Sequence, residues 1–173
     1  CYNVALRQAQ GLLLQTFRNS KTMNESDLIF LHAFNSIPGV GPVTLRILKT
    51  NFPSLEQAWK APQSELEHTA IQTRIAQSIA THRTTLDPEL LFKRIAQENA
   101  WIITEDNPAF PPILKEIPTP PIMLYGKGTL PAPDRIHVGI VGTRRPTTYG
   151  IHATEQITSG LVDAGIAIVS GLA

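Results

Sequence analysis

The sequence of 173 residues is 42% hydrophobic and 17% charged, a composition typical of a globular protein rather than of a disordered chain. Its formal net charge of +1 excludes a global basic field, so any nucleic-acid site must be a local patch or a set of oriented backbone amides. The single cysteine, Cys1, excludes an internal disulfide and leaves too little sulfur for a structural zinc site.

The first segment, residues 1–22, precedes Met23, and we interpret it as an upstream extension in which LRQAQGLLLQTF could form a short amphipathic helix. It lacks the basic start, apolar middle and small-residue cleavage site of a signal peptide. The chain contains no apolar stretch of about 18 residues, which argues against a membrane span. We therefore expect a cytoplasmic protein without a membrane partner.

Residues 23–99 are predicted to form an all-α domain. Asn24 or Ser26 could cap the first helix, Pro42 suits the first position of the second, and Asp87-Pro88 is the start signal of the last. The predicted helical segments cover residues 24–36, 42–51, 54–60, 63–82 and 86–97.

The segment IPGVG between the first two helices is the first candidate binding element. Gly39 and Gly41 permit a tight turn with positive φ, which exposes backbone N–H groups at the start of the next helix. This arrangement resembles a helix-hairpin-helix, or SAM-like, element, which grips nucleic-acid backbones without reading sequence. Arg46 and Lys49 on the second helix could add charge, although a plain helix–helix turn is the alternative.

Residues 100–173 are predicted to begin an α/β, Rossmann-like domain with a parallel sheet, which the chain leaves incomplete. A Pro-rich irregular segment with one short helix lies between the first two strands, and a crossover helix over residues 151–165 joins the last two as a βαβ unit. Glu105 and Asp106, which follow the first strand, could be acid–base groups but are more typical of solvated strand ends. The predicted strands cover residues 101–104, 122–126, 136–142 and 166–170.

The loop GTRRPTTYG, between the third strand and the crossover helix, is the second candidate. Ligands of doubly wound sheets bind at the carboxyl ends of strands, and loop amides with a helix N-terminus favour an anion. Arg144 and Arg145 can supply forked donors for phosphate oxygens. The spacing fits neither a dinucleotide fingerprint nor a P-loop, so no cofactor is expected. A solvated capping loop is the alternative reading. The candidate contacts are Gly142, Thr143, Arg144, Arg145, Thr147, Tyr149 and Gly150.

Four segments in this order resemble the DNA-processing protein A family, also called DprA or Smf. The segment IPGVGPVTLRILKTNF looks like its N-terminal helical domain, and NPAFPPILKEIPTPPIMLYGKG looks like its Pro-rich stretch. In that stretch Phe110 stands where the family has Tyr, and Thr119 where Asp is usual. VGIVGTRRPTTYG and the terminal IVSGLA are similar to two further signatures, although the Gly-Ile-Asp that should follow is absent.

The resemblance implies a domain that binds single-stranded DNA, not a nucleotide cofactor. It also implies a recombination mediator that protects incoming strands in natural transformation, helps to load the recombinase RecA and forms a homodimer. Carried over by position, Gly142, Thr143 and Arg144 would line a phosphate pocket, with Ser170 and Gly171 on the neighbouring strand end.

We therefore predict DNA binding without catalysis. The first alternative is a nucleotide-cleaving phosphoribohydrolase, since related Rossmann-like folds bind a 5′-phosphate in a similar loop. The second alternative is an interaction module in which the helical domain docks a protein partner.

Overall fold

The computed structural model describes residues 23–130, 132 and 134–171. The predicted extension over residues 1–22, and Leu172 and Ala173 of the terminal motif, lie outside this range. The chain separates into two compact units, the first ending at Gly128 and the second beginning at Thr129.

Helices make up most of the first unit. The side chain of Asn24 caps α1 by accepting from the amide of Asp27, and Asp87 caps α6 by accepting from the amide of Leu90. These start signals are therefore confirmed, with Asn24 rather than Ser26 as the cap of α1, and Pro42 occupies the first position of the next helix as predicted. The helices are α1 (Glu25–Asn35), α2 (Pro42–Asn51), α3 (Leu55–Lys60), α4 (Gln63–Glu67), α5 (Thr73–His82) and α6 (Pro88–Gln97).

The segment predicted as helical over residues 63–82 is interrupted between α4 and α5. Thr69 breaks it, because its hydroxyl donates to the carbonyl of Leu66 at 2.6 Å and accepts from the amide of Ile71 at 3.3 Å. Such local bonds from a threonine compete with the helical ladder. Ile71 lies in the resulting turn and is buried in the core. Its apolar character therefore reflects tertiary burial and not a position on the continuous helix that the sequence suggested.

One hydrophobic core holds the helices of the first unit together. Leu31, Phe34 and Leu45 are fully buried in it. Trp59 packs edge-to-face on Phe34 with ring centroids 4.9 Å apart and is buried in this core.

Two strands, β1 (Ala100–Thr104) and β2 (Met123–Lys127), complete the first unit as an antiparallel pair. Ile102 and Met123 belong to the core cluster formed by the helices. Contacts therefore group these strands with the helices, and the domain boundary after residue 99 stays a prediction. The intervening Pro-rich segment contains one short 3-10 helix, Pro112–Lys115, where a short helix was expected.

The second unit contains β3 (His137–Gly139), α7 (Thr148–Asp163) and β4 (Ala167–Val169). The strands β3 and β4 pair in parallel, as expected for a βαβ unit. Both are shorter than predicted, since their register joins only three residues of each. The mixed α/β class is thus observed, and no helix among the described residues is long and apolar enough to cross a membrane.

Candidate nucleic-acid interface

The turn after β3 lies at one edge of the two-stranded sheet. Because the strands are parallel, their carboxyl ends meet there, with Gly139 opposite Val169. The amide of Ile140 extends the pairing by donating to the carbonyl of Val169 at 2.9 Å. The structure therefore brings the start of the predicted turn to the same sheet edge as Ser170 and Gly171, which directly follow β4.

The helix after this turn begins three residues earlier than predicted. Thr147 is its N-cap, and the hydroxyl of Thr147 accepts from the amide of Gly150 at 3.1 Å. Gly150 does not open the helix but lies in its first turn, with its N–H already bonded. The amides of Thr148 and Tyr149 precede the first intrahelical donors, so helix geometry leaves them without an intrahelical acceptor.

A second local hydrogen bond shapes the turn itself. The hydroxyl of Thr143 accepts from the amide of Arg145 at 3.3 Å. Thr143 and Thr147 thus both act as acceptors within the turn, and Thr147 has the capping role that the alternative reading assigned to this loop. Each hydroxyl still carries a proton that it can donate to an anion.

The turn is open and positively charged. Every residue from Val141 to Tyr149 is exposed, and residues 142–150 contain two arginines and no acidic residue. Neither Arg144 nor Arg145 forms an ion pair with any residue that the structure describes. Within α7, the carboxylate of Glu155 pairs with His152 at 3.5 Å. Anions therefore meet two exposed guanidinium groups at the positive end of a helix.

The IPGVG turn of the first unit contains only one of the two positive φ angles that were predicted. Gly39 has φ of +85°, and a Cβ added there would lie 2.9 Å from Cδ1 of Ile75 on α5. Gly41 is the N-cap of α2 and is extended, with φ of −128° and open space where a side chain would start. The structure therefore requires glycine at position 39 and could accommodate a side chain at position 41. The carbonyl of Pro38 accepts from the Ser78 hydroxyl at 3.0 Å, which ties the turn to α5.

The two cations of α2 are paired with acidic residues that follow β1. Arg46 donates to Glu105 at 2.7 Å and to the carbonyl of Pro120 at 3.0 Å. Lys49 lies 3.2 Å from a carboxylate oxygen of Asp106. The sequence does not indicate this pairing, because its only local signals are two adjacent acidic residues and two basic ones spaced i, i+3.

A polar cluster that the sequence did not suggest joins α1 to β2. The hydroxyl of Tyr125 lies 2.8 Å from Nδ1 of His32 and accepts from the side-chain amide of Asn35 at 3.2 Å. Burial lowers the pKa of His32, opposed by a hydrogen bond to the backbone of Leu91, and burial raises the pKa of Tyr125, opposed by the bond from Asn35. Among the described residues, no group of three or more His, Cys, Asp or Glu side chains could hold a metal ion.

Comparison with known proteins gives one family and several relatives. The sequence profile of the family described as DNA recombination-mediator protein A matches residues 101–173. The chain is 38% identical over 161 residues to Protein Smf of Synechocystis sp., which covers 87% of this chain and 39% of that protein. It is 32% identical over 125 residues to DNA processing protein DprA of Bacillus subtilis, covering 66% of this chain and 42% of that protein.

A third relative, Protein Smf of Borreliella burgdorferi, is 32% identical over 85 residues, covering 49% of this chain and 27% of that protein. The chain thus spans about two fifths of the length of the first two relatives. No solved structure gives a match.

Proposed function

Since this chain belongs to the DNA recombination-mediator protein A family, we propose that it binds single-stranded DNA through the sugar-phosphate chain, without catalysing a reaction. The observation that carries this proposal is the turn of residues 142–150, which is exposed, bears two arginines without ion-pair partners in the described part of the chain, and lies where two parallel strands end.

In this proposal the turn acts as a set of positioned donors. The guanidinium groups of Arg144 and Arg145 bind phosphate oxygens in pairs, and the amides of Thr148 and Tyr149 add the positive end of α7. The hydroxyl of Thr143 can donate to the same group. Because phosphates are alike at every nucleotide, such contacts position the strand and do not read its sequence. The ring of Tyr149, which is 82% exposed, offers a surface on which a base can stack.

The hairpin of the first unit supplies a second, weaker contact. Its helix α2 starts without a side-chain cap and without an acidic residue in its first turn. Pro42 has no N–H, but the amides of Val43 and Thr44 precede the first intrahelical donor, Leu45, and are available to a phosphate next to the turn that Gly39 and Gly41 form. We assign residues 23–99 to a helix-hairpin-helix, SAM-like fold and residues 100–173 to the start of a Rossmann-like domain.

The biological role follows from the family and extends beyond this segment. We propose a recombination mediator that acts in DNA uptake, assists loading of the recombinase RecA, and forms a homodimer in the cytoplasm. The relatives' names support DNA processing, since one of them is called DNA processing protein DprA.

A substitution at the turn tests the proposal. Arg144→Ala should weaken binding of a fluorescent oligothymidylate about three- to tenfold at low salt, because one charge-assisted contact is lost from an exposed site. The loss should be the same for a mixed-sequence strand. Arg94→Ala removes the same charge from an exposed position on α6 and should leave the affinity unchanged. Unchanged affinity of the Arg144 variant would remove this residue from the site.

A phosphoribohydrolase activity is the alternative that this proposal opposes. Cleavage of a glycosidic bond generally needs a carboxylate positioned at the reacting sugar. Residues 140–150 contain none, and Glu155, the next carboxylate along α7, is engaged with His152. Release of free base from a nucleoside monophosphate, lost on substituting Glu155→Gln, would contradict the non-catalytic proposal.

A further inference from the structure

The two ion pairs between α2 and the residues after β1 neutralise one face of the hairpin. Arg46 and Lys49 are three residues apart on α2 and therefore lie on the same side of that helix. Their partners, Glu105 and Asp106, are adjacent in the chain. The local charge of this group of four is zero, although α2 itself carries two cations and no acidic residue.

We propose that Glu105 and Asp106 act as internal substitutes for DNA phosphates, which hold the hairpin in a state of low affinity until a strand displaces them. This inference rests on the proposed function, because it concerns regulation of the hairpin contact. In each pair a carboxylate oxygen accepts from the cation, as a phosphate oxygen would, because both anions accept charge-assisted hydrogen bonds from Arg and Lys.

The exposure of the four side chains makes this exchange feasible. They are between 24% and 46% exposed, so both partners of each pair remain accessible to water and to a strand. Ion pairs that remain in contact with water are weakened by solvent screening. A polynucleotide, which offers many phosphates and releases its counterions on binding, can therefore compete for the same cations.

Arg46 extends the consequence of displacement to the Pro-rich segment. Its second bond, to the carbonyl of Pro120, joins α2 to the end of the Pro-rich segment that precedes β2. A strand that takes Arg46 away from Glu105 also competes with this bond. Binding at the hairpin would thus loosen the attachment of the Pro-rich segment to α2.

Replacing the two acidic residues by their uncharged amides in the whole chain tests the inference. Glu105→Gln with Asp106→Asn keeps the size of both side chains and one acceptor oxygen on each, and it removes both negative charges. This variant should bind an oligothymidylate roughly five- to tenfold more tightly at about 50 mM salt. The slope of log affinity against log salt concentration should become steeper by about 1.4, which is about 0.7 for each of two newly contacted phosphates. Adding Arg46→Ala and Lys49→Ala should abolish the gain.

A matched control separates a local effect from one of total charge. Glu89→Gln with Glu98→Gln also removes two carboxylates from lysine ion pairs, at the two ends of α6. This control should change affinity by less than a third of the gain. No gain in the Glu105/Asp106 variant, or an equal gain in the control, would overturn the inference. Glu105→Gln alone, the milder change, should give about half the shift in salt dependence if the double variant folds poorly.

Repeating the series with Arg144→Ala distinguishes this inference from the proposed site at the second unit. A loss of affinity from Arg144→Ala together with no gain from the Glu105/Asp106 variant would keep the turn of residues 142–150 as the binding site. It would reject the role of Glu105 and Asp106 as internal substitutes for phosphates. A gain in affinity from the Glu105/Asp106 variant together with no effect of Arg144→Ala would support the internal substitute and remove Arg144 from the binding site.

Discussion

Gly39 and Gly41 lie in the same turn and are expected to respond oppositely to substitution. Gly39 has φ of +85°, which costs a residue with a side chain about 1–2 kcal/mol. A Cβ there would also lie 2.9 Å from Cδ1 of Ile75, and moving Ile75 off its rotamer costs about 0.5–1.5 kcal/mol. The smaller conformational freedom of unfolded alanine offsets about 0.4–1 kcal/mol. Gly39→Ala should therefore lower the free energy of unfolding by about 1–3 kcal/mol.

The matched substitution Gly41→Ser should leave stability unchanged or raise it by up to about 1 kcal/mol. Gly41 is extended, a Cβ there meets open space, and serine is a better N-cap than glycine. Urea unfolding followed by circular dichroism at 222 nm measures both variants against the parent chain. Equal destabilisation by the two substitutions would refute the assignment of the left-handed conformation to Gly39 alone.

Two further stability predictions concern β2 and its contacts. Gly126→Ala should destabilise the first unit by about 1–3 kcal/mol, as measured by urea unfolding, since its Cβ would clash with the ring of Trp101. Gly160→Ala on α7, where a Cβ would meet nothing within 4 Å, should be neutral or stabilising, and equal effects of the two substitutions would contradict the packing. Because burial lowers the pKa of His32 below its usual 6.5, the unfolded state binds this proton more tightly and stability should fall as pH drops below about 6.5. His32→Gln, which cannot titrate, should reduce this fall between pH 7 and pH 5, and an identical pH profile for both chains would contradict it.

Local signals in the sequence predicted much of the fold. The caps at Asn24 and Asp87 and the proline at the start of α2 act within one helical turn, so they could be recognised without tertiary information. The parallel pairing of β3 with β4 follows from the strand–helix–strand order. The start of α7 was misplaced because Thr147, not a residue nearer Ile151, is the cap, and several threonines in the turn are equally good caps by sequence.

The ion pairs between residues far apart in the chain could not be predicted from the sequence. Arg46 and Glu105 are 59 residues apart, and nothing in either local pattern indicates that they meet. The position of Ser170 beside the turn after β3, in contrast, was predictable, because both follow parallel strands whose carboxyl ends share one edge. The sequence could not show which amides of the turn already donate hydrogen bonds. The threonine hydroxyls that accept them are positioned by the backbone path between Thr143 and Gly150.

Amide chemical-shift mapping of the 15N-labelled chain, titrated with an oligothymidylate, tests most directly whether this turn holds a sugar-phosphate chain. The largest changes are expected at Gly142, Arg144, Thr148 and Tyr149. The amide of Gly150 should move less, because it is already hydrogen-bonded within the turn. Saturation of the chain with DNA while these amides remain unmoved, with all changes in the first unit, would contradict the account.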